Sequence, residues 1–411
     1  MSAPSTLEEA LHLGLLRNPG LARAFEAWRA SFEEVTISQK LPEPQLSIAT
    51  FVQEVETRVG PMDGKLALRQ SYPWFGVLEL KGDQALARSE AVREKLEAVR
   101  LDLELKLREV WYEMIYLGEA TNVTKAHIQL VTHWEEVARA RYESNLVQQS
   151  DLIRVQIELG RLDDRLSTLE DRRLPLASRV AALLDLPAES FSDLSPTLAE
   201  LPPAAMFDMQ AIEQNLLSTN PELRGLAFDI QAADLGRDLS DKAFFPKFSI
   251  GADYTFVGDA VNNVTGSGDD ALAFSLGLSV PIWRKAYRAG QRKAESMARG
   301  TRLAQQSLLN ELEARLSDLA FQARDSERRI GLYRDNLIPK GKEALAALDS
   351  GYQAGRSNYI DLVDAERVLF EFQLQLARAS VDRSLSQARI ERLAGSSSAA
   401  SEQAFTNTEK N

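Results

Sequence analysis

The chain has no cysteine, only three histidines, and an aromatic content of 7% over 411 residues. Without cysteine it can form no disulfide or thiolate metal site, and it offers no thiol for a lipid. His12, His127 and His133 are scattered, and none is paired with another histidine at ligand spacing. They read as surface or packing residues, and no metal site is expected. No window approaches 18 consecutive apolar residues, which excludes a membrane-spanning helix. The opening residues, Met1 to Glu9, lack the basic and apolar regions of a signal peptide. Positive charge is in deficit as well. With 48 basic and 60 acidic residues the net charge is −12, so no nucleic-acid partner is expected. P-loop, nucleophile-elbow and HExxH patterns are missing, so neither an enzyme nor a cofactor is expected.

What remains is 44% hydrophobic and 26% charged, arranged in long stretches rich in Ala, Glu, Leu, Arg and Gln. That is the composition of long helices. A first helix is expected from Leu7 to Arg17, where Asn18-Pro19 halts it, and a second from Gly20 to Lys40. Alternation then replaces the helical period. Strands are expected over Gln45 to Val52 and Lys65 to Pro73, joined by a turn-rich loop from Glu54 to Gly64. From Gly76 the helical period returns for roughly 70 residues, with Val92, Leu96, Val99, Leu103 and Leu107 forming a coiled-coil seam. A return helix from about Ser150 to Leu186, kinked at Pro175, precedes a polar link over Pro187 to Pro203.

The second half repeats this order. Asn220-Pro221-Glu222-Leu223 mirrors Asn18-Pro19-Gly20-Leu21, and Pro246 and Ile250 mirror Pro44 and Ile48. Strands over Lys247 to Val257 and Ala271 to Val280 alternate cleanly, with a Gly/Asn/Asp-rich loop from Gly258 to Asp270 between them. A long helix from about Lys285 to Ser350, bent near Pro339, turns into a return helix from Tyr359 to Leu393. The expected organisation is a first repeat over 1–203 (β-hairpin 45–73, helical hairpin 76–186, link 187–203). A second follows over 204–394 (β-hairpin 247–281, helical hairpin 285–393), and then a disordered tail over 395–411.

Each helical hairpin ends in a related tip. The fuller one reads Gly351-Tyr-Gln-Ala-Gly355-Arg-Ser-Asn358-Tyr-Ile-Asp361-Leu-Val-Asp364-Ala365. Gly355 suits a left-handed helix stop, and Asn358 with Asp361 suits a capping box. Tyr142, Asn145 and Asp151 stand where Tyr352, Gly355 and Asp361 stand in the fuller copy. The helix lengths put each tip about 100 Å from its strands, in a rod with no room for a single core. Strand faces that are large and apolar on one side and small and polar on the other suit a membrane barrel shared among copies. Aromatic residues Tyr72, Trp74, Phe75, Phe244, Phe245 and Trp283 cluster where strands meet helices. Gln70, Glu54 and Glu56 favour the competing picture of a soluble sheet packed on helices.

The Asn-Pro-x-Leu pair, the two strand hairpins and the Tyr-x-x-Gly-x-x-x-x-x-Asp-Leu-x-Asp-Ala tip together resemble the TolC family of outer-membrane efflux channels, over Leu7 to about Ala394. Ser71-Tyr-Pro-Trp-Phe-Gly76 is similar to the Pro-x-x-Gly segment of the CzcC-like heavy-metal branch, although Val77 replaces its lysine. The resemblance implies a mainly α fold with a small β portion. Three protomers would build a 12-stranded transmembrane barrel on a helical tunnel through the periplasm. It also implies an outer-membrane location with the signal peptide removed, a lipid environment, and docking to a periplasmic membrane-fusion adaptor and an inner-membrane pump. By resemblance, Asp361 and Asp364 line the tunnel entrance, and Asp151 and Tyr352 hold it closed. Tyr142 and Gly355 belong to the same gating region. Asp361 also has a capping reason to be there, and the two tyrosines could simply pack helices. The competing function is a soluble coiled-coil scaffold or periplasmic adaptor.

Overall fold

The computed structural model describes residues 4–191, 194, 196–203, 208–262 and 264–395, with the backbone alone at Glu54. The tail expected to be disordered lies outside these residues from 396 onward. The described chain forms two compact units. One comprises residues 1–24, 96–221 and 309–411, the other 25–95 and 222–308. Each unit therefore draws on both sequence repeats.

The sheet lies wholly in the second unit. Strands β1 (Gln45–Thr57), β2 (Gly60–Tyr72), β3 (Lys247–Val257) and β4 (Ala271–Ser279) form one antiparallel sheet in that order. Pairing of β2 with β3, such as Leu66 with Tyr254 and Gln70 with Ile250, joins the two hairpins. The first hairpin runs further than its sequence pattern suggests. The stretch expected to be a loop, Glu54 to Gly64, is mostly strand, and only Arg58 and Val59 turn. The ladder is satisfied by backbone groups whatever the side chains, and a register shift between Thr50 and Val55 absorbs the irregular sequence. Gly60, at φ 133°, is required at this turn because a Cβ there would sit 1.7 Å from the Gly258 carbonyl oxygen.

The two sheet faces differ as the alternation predicts. Ile48, Leu68, Ile250, Phe274 and Leu276 stand exposed on one face, Leu276 at 87%. The other carries Lys65, Arg69, Ser71, Lys247, Ser249, Asp253 and Ser275, with Lys65 Nζ 2.9 Å from Asp253. Gln70 shares the apolar face, but its amide donates to the carbonyls of Pro42 (2.8 Å) and Ser71 (2.9 Å) at the strand end. Glu56 lies beside the hairpin turn, paired with Pro61.

The helices are α1 (Leu7–Arg17), α2 (Pro19–Gln39), α3 (Val77–Glu143), α4 (Gln149–Asp171), α5 (Arg173–Leu184), α6 (Met209–Thr219), α7 (Pro221–Lys242), α8 (Arg284–Leu332), α9 (Ile338–Gln353) and α10 (Tyr359–Leu393). The first return helix is two helices, not one kinked helix. It opens at Arg172, so that Pro175 falls in the first turn of α5, where its missing N–H costs nothing. The bend expected near Pro339 is a π-turn over Tyr333–Leu337, which seats the proline in the first turn of α9. The link over 187–203 is partly structured. Short 3₁₀ turns occupy Ala188–Phe191 and Leu198–Glu200, and Phe191 is 1% exposed.

In the first unit, the Asn-Pro pairs do more than stop helices. Asn18 breaks α1 from α2, accepts from the Leu21 N–H through Oδ1 (2.9 Å), and donates through Nδ2 to the Leu183 carbonyl (2.9 Å). Its counterpart Asn220, fully buried, donates to the Leu393 carbonyl at 2.9 Å. Each asparagine thus satisfies an orphan carbonyl in the last turn of the return helix in its own repeat. Asn220→Ala leaves that carbonyl unsatisfied in a dry site and should cost about 1–3 kcal/mol. In detergent the helical circular-dichroism melt should fall by several degrees, and an unchanged melt would contradict the bonding described.

Candidate functional site

The two tips have the same local build. Helix α3 ends at Asn145, φ 54°, and α9 at Gly355, φ 74°. In each, the left-handed residue donates to the tyrosine carbonyl three residues back, Asn145 to Tyr142 (2.9 Å) and Gly355 to Tyr352 (3.0 Å). The next residue reaches one further, Leu146 to Arg141 and Arg356 to Gly351, both at 2.8 Å. Both are Schellman stops, and asparagine is the one side chain besides none at all that commonly takes this position.

Starts of the return helices differ. Asn358 Oδ1 accepts from the Asp361 N–H at 2.9 Å, which is half of the expected capping box. The Asp361 carboxylate does not return the bond. It stands exposed with no hydrogen bond among the described residues, as does Asp364 one turn on. Gln148 occupies the corresponding position before α4 and makes no side-chain cap. Asp151 there is half-buried, near enough to the Tyr352 phenol to influence it.

Duplicated positions have unequal surroundings. Tyr142 is 40% exposed, whereas Tyr352 is 2% exposed. The guanidinium of Arg141 lies over the Tyr352 ring at 5.0 Å and donates to the Tyr352 carbonyl. Tyr352 meets Tyr359 edge-on at 5.9 Å, and neither buried hydroxyl has a hydrogen-bond partner among the described residues. Burial raises the Tyr352 phenol above its ordinary range; Arg141 opposes the shift and Asp151 adds to it. Tyr359 is pushed higher still, by burial and then by the carboxylate of Glu158.

Polar ties join the four tip helices. Trp134 Nε1 donates to Asp349 (3.0 Å) between α3 and α9. Gln156 donates to Glu135 (3.2 Å) between α4 and α3. Arg367 Nε donates to Glu158 (3.0 Å) between α10 and α4, which holds the Arg367 guanidinium above its usual range. His127 on α3 lies between Glu366 (Nδ1, 2.6 Å) and Gln373 (Nε2, 2.7 Å) on α10, with Phe370 edge-on at 4.9 Å. All three tie residues Glu158, His127 and Glu366 are buried.

Sequence reasoning placed the six tip residues but missed these ties. A signal existed. Glu366 and Gln373 continue the apolar stripe of Leu362, Val363, Leu369 and Phe370 at helical spacing, and His127 continues Ala120, Thr124, Val131 and Trp134 on α3. A polar residue on an apolar stripe either finds a partner or is costly. The Ser71–Gly76 segment links β2 to α3, with Gly76 at φ 78° and Trp74 stacked on Phe245 and Phe248 at 4.9 and 5.5 Å.

Residues 212–396 match the outer membrane efflux protein family. The pyoverdine export outer membrane protein OpmQ of Pseudomonas putida is 22% identical over 328 residues, covering 78% of this chain and 67% of its own. The outer membrane protein TolC of Vibrio cholerae is 21% identical over 386 residues, covering 89% and 85%. Among solved structures, the outer membrane protein VceC of Vibrio cholerae superposes with a TM-score of 0.80 at 15% identity, covering 95% of this chain and 96% of that one. The fold is shared throughout, although few residues are.

Two predictions follow from the buried groups. A phenol whose value is raised in the fold is fully protonated below its unfolded value of about 10, and its contribution is lost as pH climbs through the raised value. Tyr359→Phe removes an unpartnered hydroxyl. It should therefore melt at or above the parent at neutral pH and lose less stability as pH rises above about 10. A clearly lower neutral-pH melt would reveal a partner for the hydroxyl. His127→Leu strands the Glu366 carboxylate and should cost about 3–5 kcal/mol, most of it recovered in His127→Leu with Glu366→Leu. Additive losses in that double-mutant cycle would mean the two groups are uncoupled.

Proposed function

We propose that this chain, a member of the TolC family of outer-membrane efflux channels, is a passive duct, the outer-membrane component of a tripartite export system. The observation that carries the reading is the sheet: β1 and β4 are its edges, and one face is apolar and exposed. An open edge and an apolar face are both unfavourable in water. Pairing β4 of one copy with β1 of the next, in three copies, closes 12 strands into a barrel with the apolar face toward lipid. The polar face, with Lys65, Asp253 and Ser275, then lines the interior, as in transmembrane barrels. Described strands of 9 to 13 residues suit that role.

Export then needs no chemistry from the chain. A periplasmic adaptor and an inner-membrane pump supply contact and energy, and the pump chooses the cargo, whether small molecule or metal ion. Asp361 and Asp364, on the first turns of α10 with exposed carboxylates that make no hydrogen bond among the described residues, are proposed to ring the entrance. In a trimer they would form a six-carboxylate ring that concentrates cations. Arg141, Asp151 and Tyr352 link the two tips and are proposed to hold the resting arrangement. The soluble scaffold reading is disfavoured by the exposed apolar face.

Purified in detergent, the chain should be trimeric and should open ion-conducting pores in planar bilayers. A monodisperse monomer in detergent-free buffer would overturn the reading. Asp361→Ala with Asp364→Ala should leave conductance near the parent's while weakening block by divalent cations by roughly tenfold or more. Unchanged block would remove these carboxylates from the entrance.

A further inference from the structure

In the second unit, the ends of β2, β3 and β4 and helices α2, α3 and α7 surround an open groove of about 1300 Å³. Its lining runs against the charge of the chain. Lys40, Lys81, Arg88, Lys242 and Lys247 contribute positive charge and Glu34 alone contributes negative, within a protein of net charge −12. Lys40 is spoken for by Glu43 at 2.8 Å, and Arg88 has the Asp229 carboxylate within electrostatic reach. Lys81, Lys242 and Lys247 make no ion pair among the described residues. Three uncompensated ammonium groups on one groove repel one another and gain from an anion placed between them.

The groove is also aromatic. Trp74 stacks on Phe245 with ring planes 20° apart and on Phe248 at 21°. Lys242 Nζ lies over the Phe245 ring, 5.9 Å from its centroid, which sets an ammonium group against the aromatic wall. Tyr72 and Tyr287 complete the apolar wall, and Ser71 and Ser279 add hydroxyls from the polar sheet face. Flat apolar surface with a few convergent polar groups is the usual composition of a small-molecule site, and this groove has volume to spare for one.

From these features we infer that the groove binds organic anions, a flat or apolar body against Trp74 and Phe245 with its acidic group among Lys81, Lys242 and Lys247. Two sources share that chemistry, a soluble aromatic anion and a short stretch of anionic phospholipid. Stacked rings favour the soluble anion. Placing the groove on a duct wall, as a resting site for anionic cargo, depends on the function proposed above. Binding itself does not.

The test is calorimetric titration of the full chain in a nonionic maltoside with 2-naphthalenesulfonate, set against 2-naphthylmethylammonium. The sulfonate should bind at one site per chain and the ammonium about tenfold more weakly or not at all. Lys242→Gln with Lys247→Gln, and separately Lys81→Gln, should weaken sulfonate binding by roughly tenfold and severalfold. Lys342→Gln, outside the groove, should leave it unchanged, and all variants should keep the parent's circular-dichroism melt. Equal affinity for the two ions, or indifference to the groove lysines, overturns the inference. Dihexanoyl phosphatidylglycerol separates the sources: if it outcompetes the sulfonate the site takes a lipid head, and if it does not the site takes soluble anions. A chain that conducts yet ignores the sulfonate fails this inference alone, whereas one that binds it without conducting fails the channel reading alone.

Discussion

The constraint on which most of this protein depends is the sheet, whose two outer strands pair with nothing else among the described residues. Four strands satisfy one another's backbone groups in the interior and leave a full row unsatisfied on each edge. Leu276, Phe274 and Ile48 on one face leave an apolar surface that water does not favour. In the channel proposed above, further copies would cover the edges and lipid the apolar face. The small residues on the opposite face serve the same end. Gly251 and Gly277 lie so close to Ser275 and Ser249 that a Cβ would crowd the hydroxyls. Bulk is thus kept off the side that would face inward in the proposed barrel.

The helical unit solves a different problem. Long amphipathic helices can slide past one another by a turn at small cost, because one apolar stripe resembles the next. Buried polar pairs remove that freedom. His127 with Glu366, Glu158 with Arg367 and Trp134 with Asp349 each tie two different helices, so a slide of one turn would break all three contacts. Their net contribution to stability is modest, since burying charge costs much of what pairing returns. What they confer is a single arrangement of the four tip helices, with Tyr352 enclosed under Arg141 and the carboxylates of Asp361 and Asp364 left outside. The same economy operates at Asn18 and Asn220, where one side chain both breaks a helix and ties down the end of another.

Much of this was legible from residues alone. Periodicity located the helices and strands, with β3 and the ends of α1 matching residue for residue, because those boundaries are enforced locally by capping and by proline. The duplication also located both tips, and the exchange of Gly355 for Asn145 preserved the left-handed stop. Less legible were the features that depend on neighbours distant in sequence. Glu54 to Gly64 looked like a loop because its side chains are those of turns, yet the β1–β2 ladder continues through it. The return helix broke three residues before Pro175, since the proline ring's demand falls on the preceding turn.

Sequence by itself determined the helical and strand periods, the repeat, the helix stops and the unequal chemistry of the two sheet faces. Those properties follow from residue size, polarity and backbone freedom within a few positions. Tertiary structure alone decided that the two hairpins form one sheet and that duplicated tyrosines differ, one enclosed and one exposed. It also set His127 against Glu366 and gathered uncompensated lysines beside Trp74. Each of these depends on which distant segment packs alongside, and burial, which sets the strength of every polar contact, exists only once that packing is complete.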